Sequence, residues 1–247
     1  MSPSRRFDLI AFDWDGTLFD STGLIVRCIQ AACRDVGTAV PDDVQAAYVI
    51  GLGLMDALRH AAPDLPVPSD EAASHVIGLG LTEALQHAVP SLPAARYPEL
   101  GQRYRHHYMA SQHEIVLFDG TREMLQSLKA RNHWLAVATG KSRPGLNEAL
   151  DSAQLRLLFD ATRTADETAS KPDPLMLLEL MSELGAEPQR TLMIGDTTHD
   201  LQLAANAGVA SVAVSYGAHP SEDFQRHAPL FVANSTRELQ GWLHEHA

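Results

Sequence analysis

Leu9-Ile10-Ala11-Phe12-Asp13-Trp14-Asp15-Gly16-Thr17 is the stretch that decides the fold. Four apolar residues in a row carry no helical stripe, and they stop at Asp13 before a Gly-Thr turn signal, which predicts a buried strand entering a tight turn. Strands buried on both faces belong to parallel sheets. The same grammar recurs at Trp134 to Ala138 before Thr139-Gly140, at Thr191 to Ile194 before Gly195-Asp196, and at Ser211 to Val214 before Tyr216-Gly217. Between these runs the spacing turns helical over Thr121 to Arg131, Pro174 to Leu184 and His199 to Asn206, the last closed by Gly208. Strand alternating with helix predicts right-handed crossovers and an α/β, doubly wound parallel sheet, whose sites form at the carboxyl ends of its strands.

From Leu18 to Phe118 the pattern is helical without a convincing strand, with helices expected at Thr22 to Val36 and Arg96 to Gln112. The expected division is a core of residues 1–18 and 118–247 and a helical unit of residues 19–117. That unit contains a tandem repeat: residues 40–66 realign without gaps on residues 67–93, and both copies carry Val-Ile-Gly-Leu-Gly-Leu. Two copies are too few for a solenoid, so local duplication is the reading.

The 247 residues, 45% hydrophobic and 20% charged, have the make-up of an ordinary globular protein. With 19 basic against 31 acidic side chains the net charge is −12, which repels phosphate backbones and anionic lipid, so no nucleic-acid or membrane partner is expected. Asp8, Asp13 and Asp15 interrupt the apolar stretch after Arg5-Arg6 too soon for a signal core. Cys28 and Cys33, five apart on a predicted helix, do not face each other, and the expected compartment is a reducing cytoplasm. Of the twelve histidines, His106 and His107 would point about 100° apart on a helix, and neither they nor His113 completes a zinc set. Arg103 to Tyr108 reads as a solvated, stacked helix face, and His199 as a solvated loop residue, with a place near a metal shell as the alternative.

Asp13 and Asp15 stand one residue apart where a strand ends. A carboxylate fixed there can act as nucleophile, and one past the turn as general acid and base, although Asp-x-Asp-Gly also makes an ordinary turn. Gly195-Asp196-Thr197-Thr198-His199-Asp200 places two more acids at another strand end; helix capping explains one of them. Asp13, Asp196 and a backbone carbonyl are hard oxygen donors that suit Mg²⁺. Thr139-Gly140 offers a hydroxyl and a free amide to a phosphate oxygen. Lys171, in Ser170-Lys171-Pro172-Asp173-Pro174, would alone read as a surface lysine. Four acids converging at strand ends, however, need a divalent cation and a lysine to balance them.

In this order the four motifs resemble the haloacid dehalogenase superfamily, whose members are mostly phosphatases, over Phe7 to Val214. The resemblance implies a Rossmann-like core with an inserted α-helical C1 cap, and the spacing is most similar to the phosphoglycolate phosphatase-like branch. It further implies that Asp13 forms an aspartyl phosphate while Asp15 protonates the leaving alcohol and then activates water. Trp14, Asp15, Thr139, Gly140 and Lys171 would hold the phosphoryl group, Asp13, Asp196 and the Asp15 carbonyl would bind Mg²⁺, and Asp200 would orient the metal shell. The substrate would be a small phosphate ester, 2-phosphoglycolate at the level of the branch, acted on by a monomer or weak homodimer. True dehalogenases lack the second aspartate present here as Asp15, and phosphonate-cleaving relatives use a cap lysine, whereas Leu18 to Phe118 contains no lysine. A sugar phosphomutase, or a non-catalytic phosphate- or partner-binding module on the same scaffold, remains open.

Overall fold

The structure, a computed structural model, describes residues 6–50, 85–86 and 88–247. Its strands are β1 (Leu9–Phe12), β2 (Phe19–Asp20), β3 (Val116–Leu117), β4 (Trp134–Thr139), β5 (Ala161–Thr164), β6 (Thr191–Gly195), β7 (Ala210–Val214) and β8 (Val232–Ala233). Its helices are α1 (Thr22–Val36), α2 (Asp43–Tyr48), α3 (Tyr97–Ser111), α4 (Thr121–Ala130), α5 (Arg143–Ser152), α6 (Leu175–Leu184), α7 (Thr198–Asn206) and α8 (Thr236–His246). Six strands form one sheet in the order β5-β4-β1-β6-β7-β8, and all its pairings are parallel.

The central strand β1 lies between β4 and β6, with Ile10 level with Leu135 and Leu192. All four of its residues are buried, and alternate residues point to opposite faces. Ile10, Phe12, Leu135, Val137, Leu192 and Ile194 pack with Met124, Leu125 and Leu128 of α4, Leu146 and Leu150 of α5, and Leu239 and Leu243 of α8. Leu9, Ala11, Ala136, Ala138 and Met193 pack instead with Met176, Leu177, Leu180 and Met181 of α6 and with Leu203 and Ala204 of α7. The doubly wound α/β architecture expected from the sequence is therefore present. At roughly 2 kcal/mol for each fully buried aliphatic side chain, the two layers are the main source of its stability.

The inserted helices have a core of their own. Ile25, Ile29, Ala32, Cys33 and Val36 of α1 meet Tyr97 and Leu100 of α3, together with Ala46, Val49 and Ile50 and with Leu85, Ala88, Val89 and Leu92. The first trio comes from the first repeat copy and the last four residues from the second. Both Gly-Leu-Gly-Leu segments, at 51–54 and 78–81, lie outside the described residues. The expectation of no strand here needs correction: β2 and β3 pair antiparallel, Phe19 with Leu117 and Asp20 with Val116, joining both ends of the insertion in one ribbon. Two residues per strand give no alternating pattern to read. Cys28 and Cys33 are free and buried. No helix among the described residues is long and apolar enough to cross a membrane.

Candidate active site

Strand order brings the acids together. Since β1 and β6 are neighbours, Asp13 leaves the end of one beside the end of the other, and its amide donates to the Ile194 carbonyl at 2.9 Å. Asp196 follows β6 directly, and Thr197 caps α7 with its hydroxyl on the Asp200 amide while the Asp200 carboxylate accepts from the Thr197 amide. This capping box fixes where Asp200 can point. Oxygen atoms of Asp13, Asp196 and Asp200, all buried, lie within 4.8 Å of one another.

Lys171 stands among them, 0% exposed, its Nζ 2.6 Å from Asp13 Oδ1 and 2.6 Å from Asp200 Oδ1. The Thr17 hydroxyl donates to Asp196 Oδ1 at 2.8 Å and the Ala218 amide to Oδ2 at 2.7 Å. Burial pushes the Asp13 carboxyl up to about 7, partly offset by Lys171 and reinforced by Asp200 and Asp15. Burial, then the charges of Asp13 and Asp200, push Asp196 well above the usual carboxylate range against the Ala218 amide and Thr17. Burial disfavours the Lys171 ammonium, yet Asp13 and Asp200 outweigh it and hold the lysine charged.

Three buried carboxylates against one ammonium leave an uncompensated negative charge, and the hard oxygen donors present can hold a metal ion. The cradle leaves no slack. A Cβ on Gly16, whose φ is +81°, or on Gly217 would lie 2.2 Å from Asp196 Oδ2. Glycine supplies both the turn after Asp15 and the close approach to Asp196.

The second half of the site faces the inserted helices. Asp15 Oδ1 accepts from the Ser21 hydroxyl at 2.8 Å, and Oδ2 pairs with Lys141 Nζ at 3.0 Å. Lys141 Nζ also donates to the Tyr108 hydroxyl of α3 at 2.9 Å, while its amide donates to the Thr139 hydroxyl at 3.2 Å. Thr139 is buried and Gly140 is exposed on the loop that follows β4. The Trp14 indole is consumed by the core, stacked on Phe19 with centroids 4.6 Å apart, so Trp14 could offer a phosphate only its backbone.

Sequence reasoning misplaced His199. It is buried in the first turn of α7, not solvated. The Nε2 atoms of His199 and His219 lie 3.4 and 3.2 Å from the Tyr48 carbonyl, and the Tyr48 ring stacks on His219. Arg103 to Tyr108 is also only partly a solvated face: Tyr104 and Tyr108 stack as expected, but Tyr108 reaches the site, and His107 lies 2.8 Å from Asp35. Ser21, Tyr48, Lys141 and His219 were not singled out beforehand, Thr17 was read only as part of a turn, and Tyr108 only as part of a solvated, stacked face. Only Thr17 and Lys141 had a signal, since they adjoin motifs already recognised.

Comparison with known proteins gives the chain a family. A family model described as haloacid dehalogenase-like hydrolase matches residues 10–214. The chain is 32% identical to a "Probable phosphatase IndB" of Dickeya dadantii, over 96% of this chain and 93% of that protein. It is 28% identical to a "Phosphoglycolate phosphatase" of Aliivibrio fischeri, over 94% of each. The fold matches that of a predicted phosphoglycolate phosphatase from Haemophilus somnus with a TM-score of 0.76 at 22% identity, covering 96% of this chain and 98% of that one.

Proposed function

The chain is an enzyme that belongs to the haloacid dehalogenase-like hydrolase family, and from that premise we propose that it is a Mg²⁺-dependent phosphatase acting on a small phosphate monoester through an aspartyl phosphate. Asp13 attacks phosphorus with the carboxylate that Lys171 orients. The phosphorus–oxygen ester bond breaks, and Asp15 gives a proton to the departing alcohol oxygen. Asp15 then takes a proton from water as that water attacks the acyl phosphate, releasing inorganic phosphate and regenerating Asp13. Lys171 balances the charge of nucleophile and phosphoryl group, and the Thr139 hydroxyl with the amides of Gly140 and Trp14 holds phosphoryl oxygens. Asp13, Asp196 and the Asp15 main-chain carbonyl would hold Mg²⁺, which when bound supplies positive charge to the transferring group; Asp200, occupied by Lys171 and Thr197, would orient that shell.

The observation that carries this reading is Lys171 bridging Asp13 and Asp200 at 2.6 Å each. A fully buried ammonium between two buried carboxylates has no use as a fold stabiliser that apolar packing would not serve better. We assign residues 1–18 and 118–247 to the catalytic core and residues 19–117 to a cap, in a cytoplasmic monomer or weak homodimer. The test is release of phosphate from p-nitrophenyl phosphate and 2-phosphoglycolate by the purified protein, with Mg²⁺ and with excess chelator. Turnover should require the metal; full activity in chelator would overturn the metal assignment, and no turnover of any ester would overturn the phosphatase reading.

A further inference from the structure

Asp196 follows β6, but much of what holds it comes from the loop after β7, which reaches it with three successive residues. Gly217 lies against its carboxylate, the Ala218 amide donates to Oδ2 at 2.7 Å, and the His219 amide donates to its carbonyl at 3.3 Å. The side chains of the last two meet the cap. Ala218 packs against the cap core, and the His219 ring stacks on Tyr48 at the end of α2 with centroids 5.1 Å apart. The backbone of this loop thus holds Asp196 while its side chains hold the cap.

Hydrogen bonding fixes the tautomer of the His219 ring. Nδ1 lies 3.1 Å from the Thr198 amide, and a backbone amide can only donate, so Nδ1 carries no proton. The ring proton is therefore on Nε2, 3.2 Å from the Tyr48 carbonyl, which can only accept. That carbonyl is the last of α2, one of those that a helix leaves without an intrahelical donor, and His199 Nε2 lies 3.4 Å from it as well. One buried imidazole ties together the first turn of α7, the loop after β7 and the cap. Its two nitrogens serve different partners, and neither partner can take the other's role.

We propose that His219 is a positioning residue through which seating of the cap and binding of Mg²⁺ at Asp196 favour each other. This goes beyond the phosphatase reading and rests on its assignment of Asp196 as a metal ligand. With Tyr48 seated, the loop after β7 is fixed and the Ala218 amide holds the Asp196 carboxylate in one orientation, so that ligand is ordered before the metal arrives. With Tyr48 lifted, His219 loses its acceptor and its stacking partner, and the loop keeps its contacts to Asp196 and Thr198 alone. A metal that fixes Asp196 fixes the same amide, and with it the ring that receives Tyr48. Binding free energies couple reciprocally, so the factor by which the seated cap tightens Mg²⁺ equals the factor by which Mg²⁺ favours the seated cap. The enzyme thereby holds its metal most tightly when the site is shut.

The test uses Mg²⁺ alone, without substrate. Asparagine at this position places an acceptor near Nδ1 and nothing at Nε2, whereas glutamine reaches the Nε2 position with a donor. His219→Asn and Tyr48→Ala should each weaken Mg²⁺ binding in calorimetry by about fivefold or more, the double variant no further than the weaker-binding single one, and His219→Gln should stay within about twofold of the parent. Hydrogen exchange reads the other direction: Mg²⁺ should slow exchange at residues 43–50 in the parent and in His219→Gln, and should not in His219→Asn. Tyr48 is 39% exposed, so Tyr48→Ala carries the test if His219→Asn does not fold. Unchanged Mg²⁺ affinity in Tyr48→Ala, equal losses with Asn and Gln, or no slowing at residues 43–50 in the parent would overturn the coupling while leaving the phosphatase reading standing. Absence of Mg²⁺ binding by the parent would overturn the metal assignment and the coupling together.

Discussion

On the sheet side of the site, Asp13, Asp196, Asp200 and Lys171 are held by strand ends, a capping box and one another. On the cap side, Asp15, Lys141 and His199 meet Tyr108 and Tyr48, which approach from helices that carry no motif. The sheet side is built from short-range rules applied at four points of the chain, and strand order does the rest. The cap side exists only because two hydrophobic cores meet there. Changes on the sheet side should therefore alter chemistry with little effect on selectivity, and changes on the cap side the reverse, with Tyr48 the exception that His219 makes.

The largest effect should come from Asp13→Asn, which keeps shape and removes the attacking charge: kcat should fall at least ~10³-fold with the circular dichroism spectrum unchanged. Near-normal turnover would break the comparison at its strongest point. Next is Gly217→Ala. Its Cβ would stand 2.2 Å from Asp196 Oδ2, and Asp196 is fully buried and held by Thr17 and Ala218, so it has nowhere to retreat. The Mg²⁺ concentration for half-maximal activity should rise by about tenfold or more, ~1.4 kcal/mol or beyond; an unchanged requirement would mean that Asp196 is not a ligand.

The repeat tests the cap. Deleting residues 51–77 joins Ile50 to Gly78 in register and keeps every described residue of the cap core, whereas deleting residues 67–93 puts Ala62 where Val89 now packs. Two methyl groups at ~0.8 kcal/mol each make the second deletion about 1.6 kcal/mol less stable than the first, before any cavity cost. Chemical denaturation of both should show that order, and the 51–77 deletion should hydrolyse esters within about tenfold of the parent. The reverse order would show that the copies are not interchangeable.

The smallest effect concerns acid stability. Burial, with help from His219, pushes the His199 imidazole down to about 3 from its ordinary 6.5. Between those values the unfolded chain takes up a proton that the folded protein refuses, so the stability contributed by neutral His199 is complete above pH 6.5 and is lost as the pH falls toward 3. At pH 5.5 the loss is at most about 1.4 kcal/mol. His199→Gln should flatten this slope in thermal melts between pH 7 and pH 5; an identical slope would show that the imidazole is not sealed by Tyr48.

Sequence legibility followed the same division. The strands β1, β4, β6 and β7 are buried along most of their length, so each is an apolar run, and those of β1, β4 and β6 end at Asp13, Thr139 and Asp196. Edge strand β5 reads Ala161-Thr162-Arg163-Thr164 and needs no such run. α8 was also passed over, although Ser235 followed by Glu238 is a legible start signal and the Ser235 side chain does cap the helix. The acids and Lys171 could be listed from motif spacing, and the structure gathers them. Nothing within reach of Tyr108 or Tyr48 in the sequence announces that they meet Lys141 and the two histidines, because such meetings depend on how one core leans on another.

The ribbon of β2 and β3 has a consequence for how such a chain can change. It brings Asp20 and Val116 side by side, so whatever lies between them leaves and rejoins the sheet domain at a single doorway. An insert of any length fits that doorway if its two ends can stand one strand spacing apart, ~5 Å. Duplication of a segment inside the insert alters neither threshold, and the strand ends that hold the acids never register its size. Chemistry and choice of substrate are thus separately heritable: the room behind the door can be enlarged, refurnished or exchanged while the hearth stays where it was.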